Sequence, residues 1–179
     1  MPSGRSRIYL AYGSNLHPSR LEARIGSVEL LGTVELPGWS LRFEKRGGDG
    51  SAKANLHAVP GSEASALAAA YSLRPDQVSR LDVFEGCGRG YETFPVTVSM
   101  NDENVHAFTY LSPSHWLSGS ILPFDWYVEL IVAGARFHRF DESYVQLVED
   151  QPSEMDPDQE RARNILEGMR LPVPSHYRR

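Results

Sequence analysis

Two short segments carry the residue types from which amide chemistry could be built. One is Tyr9-Leu10-Ala11-Tyr12-Gly13-Ser14-Asn15-Leu16. It reads as a strand that stops at a Gly-Ser-Asn turn just ahead of a helix start at Pro18. Backbone N–H groups freed there, beside the partial positive charge of a helix N-terminus, can hold an oxygen or a carboxylate. Gly13 lets a ligand come close to the main chain. The plainer reading is that Ser14 or Asn15 caps the helix, and the local sequence leaves both open. The other segment is Leu81-Asp82-Val83-Phe84-Glu85-Gly86, followed by Gly90-Tyr91. It puts the Glu85 carboxylate at the end of an apolar helical turn. Val83 and Phe84 are the expected source of desolvation, which raises a carboxyl pKa toward the range useful for moving a proton. Arg89 is the expected counterweight. The competing reading is an ordinary surface glutamate at a helix end. A donor-lined loop with one tuned acid suffices for an acyl transfer in which the substrate brings its own nucleophile.

Other candidates are weaker. Cys87 is the single cysteine, and a catalytic thiolate needs a base or an electropositive setting. Only Arg89 is near, and no histidine is tied to it. The six histidines show no metal-ligand spacing, and there is no CxxC. Tyr9, Tyr12, Tyr91, Tyr110 and Tyr127 each join an apolar ring to one hydroxyl, and core packing explains most such residues. Trp39, Phe43, Phe108 and Phe137 are assigned to the core. His106 alternates outward in its strand. Asn55 is either structural or pocket-lining.

These residues need a scaffold of strands and helices. Residues 6–12, 28–36, 40–45, 52–59 and 65–73 read as strands, broken by Pro37-Gly38, by Gly47-Gly48-Asp49-Gly50-Ser51 and by Pro60-Gly61. Tyr91–Met100 and Asn104–Leu111 flank Asn101-Asp102-Glu103 as a hairpin. Helices are expected from Pro18 to Gly26, from Pro75 with Val78, Leu81 and Phe84 inward, from Phe124 to about His138, and from Asp141 to about Asp150. A last helix starts at Asp156-Pro157-Asp158-Gln159, where Asp156 would be the cap, and ends near Gly168. Residues 171–179 read as a loose tail. Hairpins followed by helices argue for an α+β fold, and the 179 residues for one domain.

Composition narrows the function classes. Hydrophobic residues are 41% and charged residues 23%, ordinary for a globular chain. A net charge of −5 gives no electrostatic case for nucleic acid or an anionic membrane as partner. Arg161, Arg163, Arg170, Arg178 and Arg179 alternate with acids or sit at the chain end, and read as solvated surface. The longest apolar stretch, Trp126 to Ala135, is broken by Glu129 and falls short of the roughly 20 residues a membrane span needs. No signal-peptide core follows Arg5 and Arg7. One cysteine fits a reducing, cytoplasmic setting.

Taken in order, the motifs resemble a known family. Tyr9 to Leu16, Ala54-Asn55-Leu56 with Pro60-Gly61, Ala70-Tyr71-Ser72-Leu73, Leu81 to Gly86, Gly90-Tyr91 and Thr109-Tyr110-Leu111 are similar to the γ-glutamylcyclotransferase family, over about residues 8 to 150. The resemblance implies a small mixed β-barrel flanked by helices, with a cavity over the Tyr-Gly-Ser-Asn loop. It implies that this loop binds a γ-glutamyl group, with Tyr9, Leu10, Ala11, Tyr12, Gly13, Ser14 and Asn15 as substrate contacts. It implies Glu85 as the proton acceptor, Tyr127 as a residue closing on substrate, and Tyr91 and Tyr110 as pocket lining. The implied reaction closes a γ-glutamyl amide to 5-oxoproline and expels an amine or amino acid, with no metal or organic cofactor required. Two other classes stand beside it: a non-catalytic small-molecule binding domain, and a Cys87-dependent amide hydrolase. Residues 151–179 lie beyond the motifs. Three roles are open to them: docking on the barrel, shielding the cavity, or carrying the contacts of a homodimer.

Overall fold

β1 (Arg7–Ala11) is the centre of the fold, and its neighbours explain why it is almost wholly apolar. It pairs antiparallel with β5 (Ser65–Leu73), Tyr9 opposite Tyr71, and parallel with β7 (Glu103–Leu111), Tyr9 opposite Phe108. A strand flanked on both sides has its backbone satisfied in the ladder, and from Tyr9 to Ala11 the side chains on both faces are buried as well. Leu10 and Ala11 have no exposed surface. β5 answers with small residues: Ala68, Ala69 and Ala70 are also fully buried, so layers can approach it closely.

The computed structural model describes residues 4–178. Among them are seven strands and five α-helices. β2 (Glu29–Pro37) and β6 (Glu92–Met100) complete a mixed sheet in the order β2-β5-β1-β7-β6. The sheet curls until its edges, β2 and β6, pack together. β3 (Trp39–Arg46) and β4 (Ala52–Ala58) form a separate two-stranded ribbon. The architecture is α+β, a curled half-barrel with helices around it. The β6–β7 hairpin turns on Asn101 (φ 52°) and Asp102 (φ 63°), the left-handed pair that a two-residue turn matched to strand twist requires. Glu103 already pairs with Met100, so it belongs to β7 rather than to the turn.

The helices lie at the ends of strands. α1 (Pro18–Ile25) follows β1, and α2 (Pro75–Glu85) follows β5. They are tied side by side: Gln77 Nε2 donates to the Ser27 carbonyl at 2.7 Å and Arg80 Nη1 to that of Ile25 at 3.3 Å. Gly86, left-handed at φ 63°, stops α2 directly after Glu85. α3 (Asp125–Phe137) presents Leu130, Ile131 and Ala135 to the core. A side chain at Gly134 would sit 2.8 Å from the His17 nitrogen, so this glycine lets α3 press onto the chain leaving β1. α4 (Glu142–Glu149) lies across β5, where the Tyr144 hydroxyl accepts from Leu67 N.

The chain end departs from expectation. α5 (Gln159–Gly168) is capped by Asp158, whose side chain accepts from Arg161 N at 3.0 Å. Asp156 is instead drawn fully inside, accepting from Trp126 Nε1 at 2.8 Å and from both Arg161 Nε and Nη2. Arg161 is therefore the partner of a buried acid, not solvated surface. Residues 171–178 are no loose tail either. Tyr177 is 1% exposed, donates to Asp125 Oδ1 and accepts from Asp156 N. Of the residues assigned to the core, Phe108 is buried, and Trp39 and Phe43 pack against it half-buried. Phe137 is 49% exposed, lying against the His17 ring at the end of α3. No helix among the described residues is long and apolar enough to cross a membrane.

Candidate active site

The turn after β1 does not use Ser14 or Asn15 as a helix cap. His17 caps α1, its Nδ1 accepting from Ser19 N at 3.2 Å. The Asn15 side chain is thereby free to turn inward, where it is almost wholly buried. Its Nδ2 donates to Glu85 Oε1 at 2.7 Å and to the Tyr9 hydroxyl at 3.2 Å, and its Oδ1 accepts from Arg24 Nη1 at 2.8 Å. Arg24 Nη1 also reaches Glu85 Oε1 at 3.3 Å. Glu85 ends α2 and Arg24 lies in the last turn of α1, so the packing of these two helices brings acid and base together.

The Glu85 side chain is only 14% exposed. Burial raises its pKa, and Arg24, Asn15, Lys45 and Arg20 pull it back without cancelling the rise. The burial does not come from the neighbours expected from sequence. Val83 is 80% and Phe84 55% exposed. A helix turn aims successive residues 100° apart, so Val83 and Phe84 face outward while Glu85 faces the barrel. Phe84 instead lies under the Arg24 guanidinium, 5.5 Å from its carbon. Arg89 is exposed, and the counterweight is Arg24.

Glu85 opens onto a chamber of about 30 Å³ lined by Tyr9, Tyr12, Gly13, Ser14, Asn15, Ala54, Tyr91, Tyr110 and Tyr127. Leu10 and Ala11 are not in that lining; both are fully buried in the core, Leu10 on the face of β1 opposite Tyr9. Ala54 is a lining residue that sequence reasoning missed. Ser14, Glu85, Tyr91 and Tyr127 also line an outer cleft of about 240 Å³, so chamber and cleft adjoin at these side chains. A larger hollow, about 750 Å³, lies between β2 and β6, shares none of these residues, and contains one acid, Glu35, and no base.

The tyrosines divide by what their hydroxyls do. Tyr12 donates to the Tyr110 carbonyl, Tyr91 to the Ala54 carbonyl, and Tyr110 to Asp82 Oδ1, each holding a wall in place. Tyr9 and Tyr127 accept, from Asn15 and from Ala54 N respectively, and so keep a hydroxyl proton to donate. Burial pushes Tyr127 up to about 12 and Tyr9 higher still, which keeps both protonated as donors. Among the described residues, the N–H groups of Gly13, Ser14 and Asn15 meet no acceptor within the protein. A side chain at Gly13 would stand 3.2 Å from the Ala54 methyl, so glycine keeps this floor open.

Asn55 is structural, bridging Glu44 Oε1 and Ser112 N. Cys87 is exposed and outside both linings. Among the described residues, no three His, Cys, Asp or Glu side chains cluster as metal ligands would. Arg20, Arg24 and Lys45 were not singled out from sequence. The spacing of four that puts Arg20 and Arg24 on one face of α1 was the available signal.

The family model for gamma-glutamyl cyclotransferase, AIG2-like, matches residues 9–127, from the first residue of the turn motif to Tyr127. The chain belongs to this family. No curated protein matches it. Among solved structures, a gamma-glutamyl cyclotransferase superposes with a TM-score of 0.78 at 20% identity, covering 90% of this chain and 98% of that one. An uncharacterized human protein gives 0.78 at 21% identity, covering 91% and 99%. A yeast gamma-glutamyl cyclotransferase specific to glutathione gives 0.52 at 12% identity, covering 93% and 96%. At these identities the likeness is one of fold. Within the gamma-glutamyl cyclotransferase family frame, Glu85 and the Gly-Ser-Asn turn meet at one chamber.

Proposed function

We propose that this protein cleaves γ-glutamyl amides by cyclisation, releasing 5-oxoproline and a free amine, with Glu85 as the proton carrier. The observation that carries the reading is the buried Glu85 carboxylate, its pKa raised by that burial, lining one chamber with a turn whose Gly13, Ser14 and Asn15 N–H groups meet no acceptor among the described residues. Membership of the family supports the same chemistry.

The substrate's α-ammonium first gives a proton to the Glu85 carboxylate. The amine nitrogen then attacks the substrate's own γ-carbonyl carbon, and the carbonyl π pair moves to oxygen. Holding both ends of one molecule in attack geometry removes much of the entropic barrier. The N–H groups of Gly13, Ser14 and Asn15, with the Tyr127 hydroxyl, are the donors available to the oxyanion. The intermediate collapses and the carbon–nitrogen bond to the leaving group breaks as that nitrogen takes the proton from Glu85; the ring nitrogen then gives its remaining extra proton to Glu85, which passes it to the departing amine, released as an ammonium. The carboxylate is restored, and no water is consumed. A carboxyl tuned upward suits both halves of this relay, since a higher proton affinity narrows its gap to the amine it must deprotonate. Asn15 and Arg24 fix one carboxylate oxygen, Oε1, which leaves Oε2 for the substrate.

The test is 5-oxoproline release, measured by mass spectrometry over a panel of γ-glutamyl dipeptides, γ-glutamyl amines and glutathione. Glu85→Gln keeps the shape and removes the relay, and should lose about 10²–10⁴-fold in turnover. Wild-type rates in purified Glu85→Gln would sink the assignment.

A further inference from the structure

We infer that Tyr177 and Asp156 are positioning residues for the Tyr127 hydroxyl, so that the chain beyond the family match sets part of the turnover rate. The inference rests on the cyclotransferase reading above, in which Tyr127 donates to the oxyanion. Tyr127 stands in the first turn of α3, and its hydroxyl accepts from Ala54 N at 3.0 Å. That bond fixes one distance. The direction in which the hydroxyl proton points also depends on where the first turn of α3 holds the ring, and a hydrogen bond weakens steeply once donor and acceptor are misaligned.

That first turn is not held by its own cap. Phe124, the cap residue, makes no side-chain capping hydrogen bond. A helix start leaves main-chain N–H groups that need partners. Here they are met from beyond the family match, which ends at Tyr127. Asp125 N donates to the Glu154 carbonyl at 2.9 Å, and Glu154 N to the Pro123 carbonyl at 3.0 Å. Asp125 Oδ1 accepts from Trp126 N at 2.6 Å and from the Tyr177 hydroxyl, and Oδ2 lies 2.7 Å from His176 Nε2. The same Tyr177 hydroxyl accepts from Asp156 N at 2.8 Å. Asp156 in turn accepts from the Trp126 indole and from Arg161, whose guanidinium carbon lies 5.5 Å from the centre of the Phe124 ring. Asp156 and Tyr177 are both buried, so a group that leaves this network loses its partner with no water to replace it. The clasp therefore grips residues 123–126, and Tyr127 is the next in the chain. No residue of 151–178 lines the inner chamber or the outer cleft, so the clasp reaches the site only through the helix turn.

The test compares kcat and KM for 5-oxoproline release in the wild type, Tyr127→Phe, Tyr177→Phe and the double variant. Tyr127→Phe removes the donor and should lower kcat by about 10²-fold, the scale of one oxyanion donor. Tyr177→Phe keeps the ring and breaks both hydroxyl bonds. It should lower kcat about tenfold with KM within about twofold, the pattern of an interaction made only in the transition state. In the Tyr127→Phe background the same change should cost less than about twofold, because the group it positions is gone. Asp156→Asn should show the same dependence on Tyr127. A loss of folded protein lowers kcat by one factor in both backgrounds, and that outcome would reduce Tyr177 and Asp156 to stabilising contacts. An unchanged kcat in Tyr177→Phe, or a loss that falls on KM alone, would also overturn the inference and leave the reaction standing. Absence of 5-oxoproline with the wild type would overturn the reaction and the positioning role together.

Discussion

Asn15 Nδ2 stands 2.7 Å from Glu85 Oε1, although the two residues are 70 positions apart in the chain. This hydrogen bond joins the turn after β1 to the end of α2, and Arg24 closes the triangle by contacting both side chains. The Gly-Ser-Asn turn and the acid are thus one unit, held by a base from a third element.

That triangle sets the pH dependence. In the proposed relay Glu85 must be ionised to accept the first proton, so kcat/KM should fall on the acid side as Glu85 protonates in the free enzyme. Its pKa lies above the ordinary carboxylate value because burial outweighs Arg24 and Asn15. Arg24→Gln removes the largest opposing influence and should move the acidic limb to higher pH. A limb that stays in place, or moves down, would show that Glu85 is not the group titrating.

Glu85 should also tax stability. Its folded pKa is raised, so between the unfolded value and the raised value the native state holds more protons than the unfolded state, and stability declines as pH rises through that window. Glu85→Gln carries no such charge. Its thermal midpoint relative to wild type should be higher above the window than below it. A difference independent of pH would contradict the raised pKa.

Cys87 sits outside the chamber and exposed. Cys87→Ala should retain turnover within about twofold, since the relay needs no thiol. Complete inactivation of the wild type by a thiol alkylator, with protection by substrate, would revive a cysteine-dependent hydrolase.

The two acids at the start of α5 should behave differently. Asp158 is an exposed cap, and Asp158→Ala should cost about 1 kcal/mol. Asp156 is fully buried and bonded to Trp126 and Arg161, so Asp156→Ala should cost about 3 kcal/mol or more. Denaturant unfolding measures both. Equal costs would mean that Asp156 does not tie the chain end to α3. Trp126 also lines the outer cleft, so this tie braces a wall of the site.

The sequence determined the elements and the two motif segments, because strand alternation, helical period and turn chemistry are properties of neighbouring residues. The Asn101-Asp102 hairpin, Pro18 opening α1 and Gly86 closing α2 are each set within a few positions. The ordered motifs also sufficed to indicate the family. Only the tertiary structure decided which side chains tune the acid. Local sequence pointed to Val83, Phe84 and Arg89; helix packing supplied Arg24 and Asn15. It decided too that Leu10 and Ala11 serve the core, that Asp156 turns inward, and that Tyr177 docks the chain end. Each of those outcomes depends on which face of one element meets another, and that is fixed by packing between segments far apart in the chain, which no local pattern records.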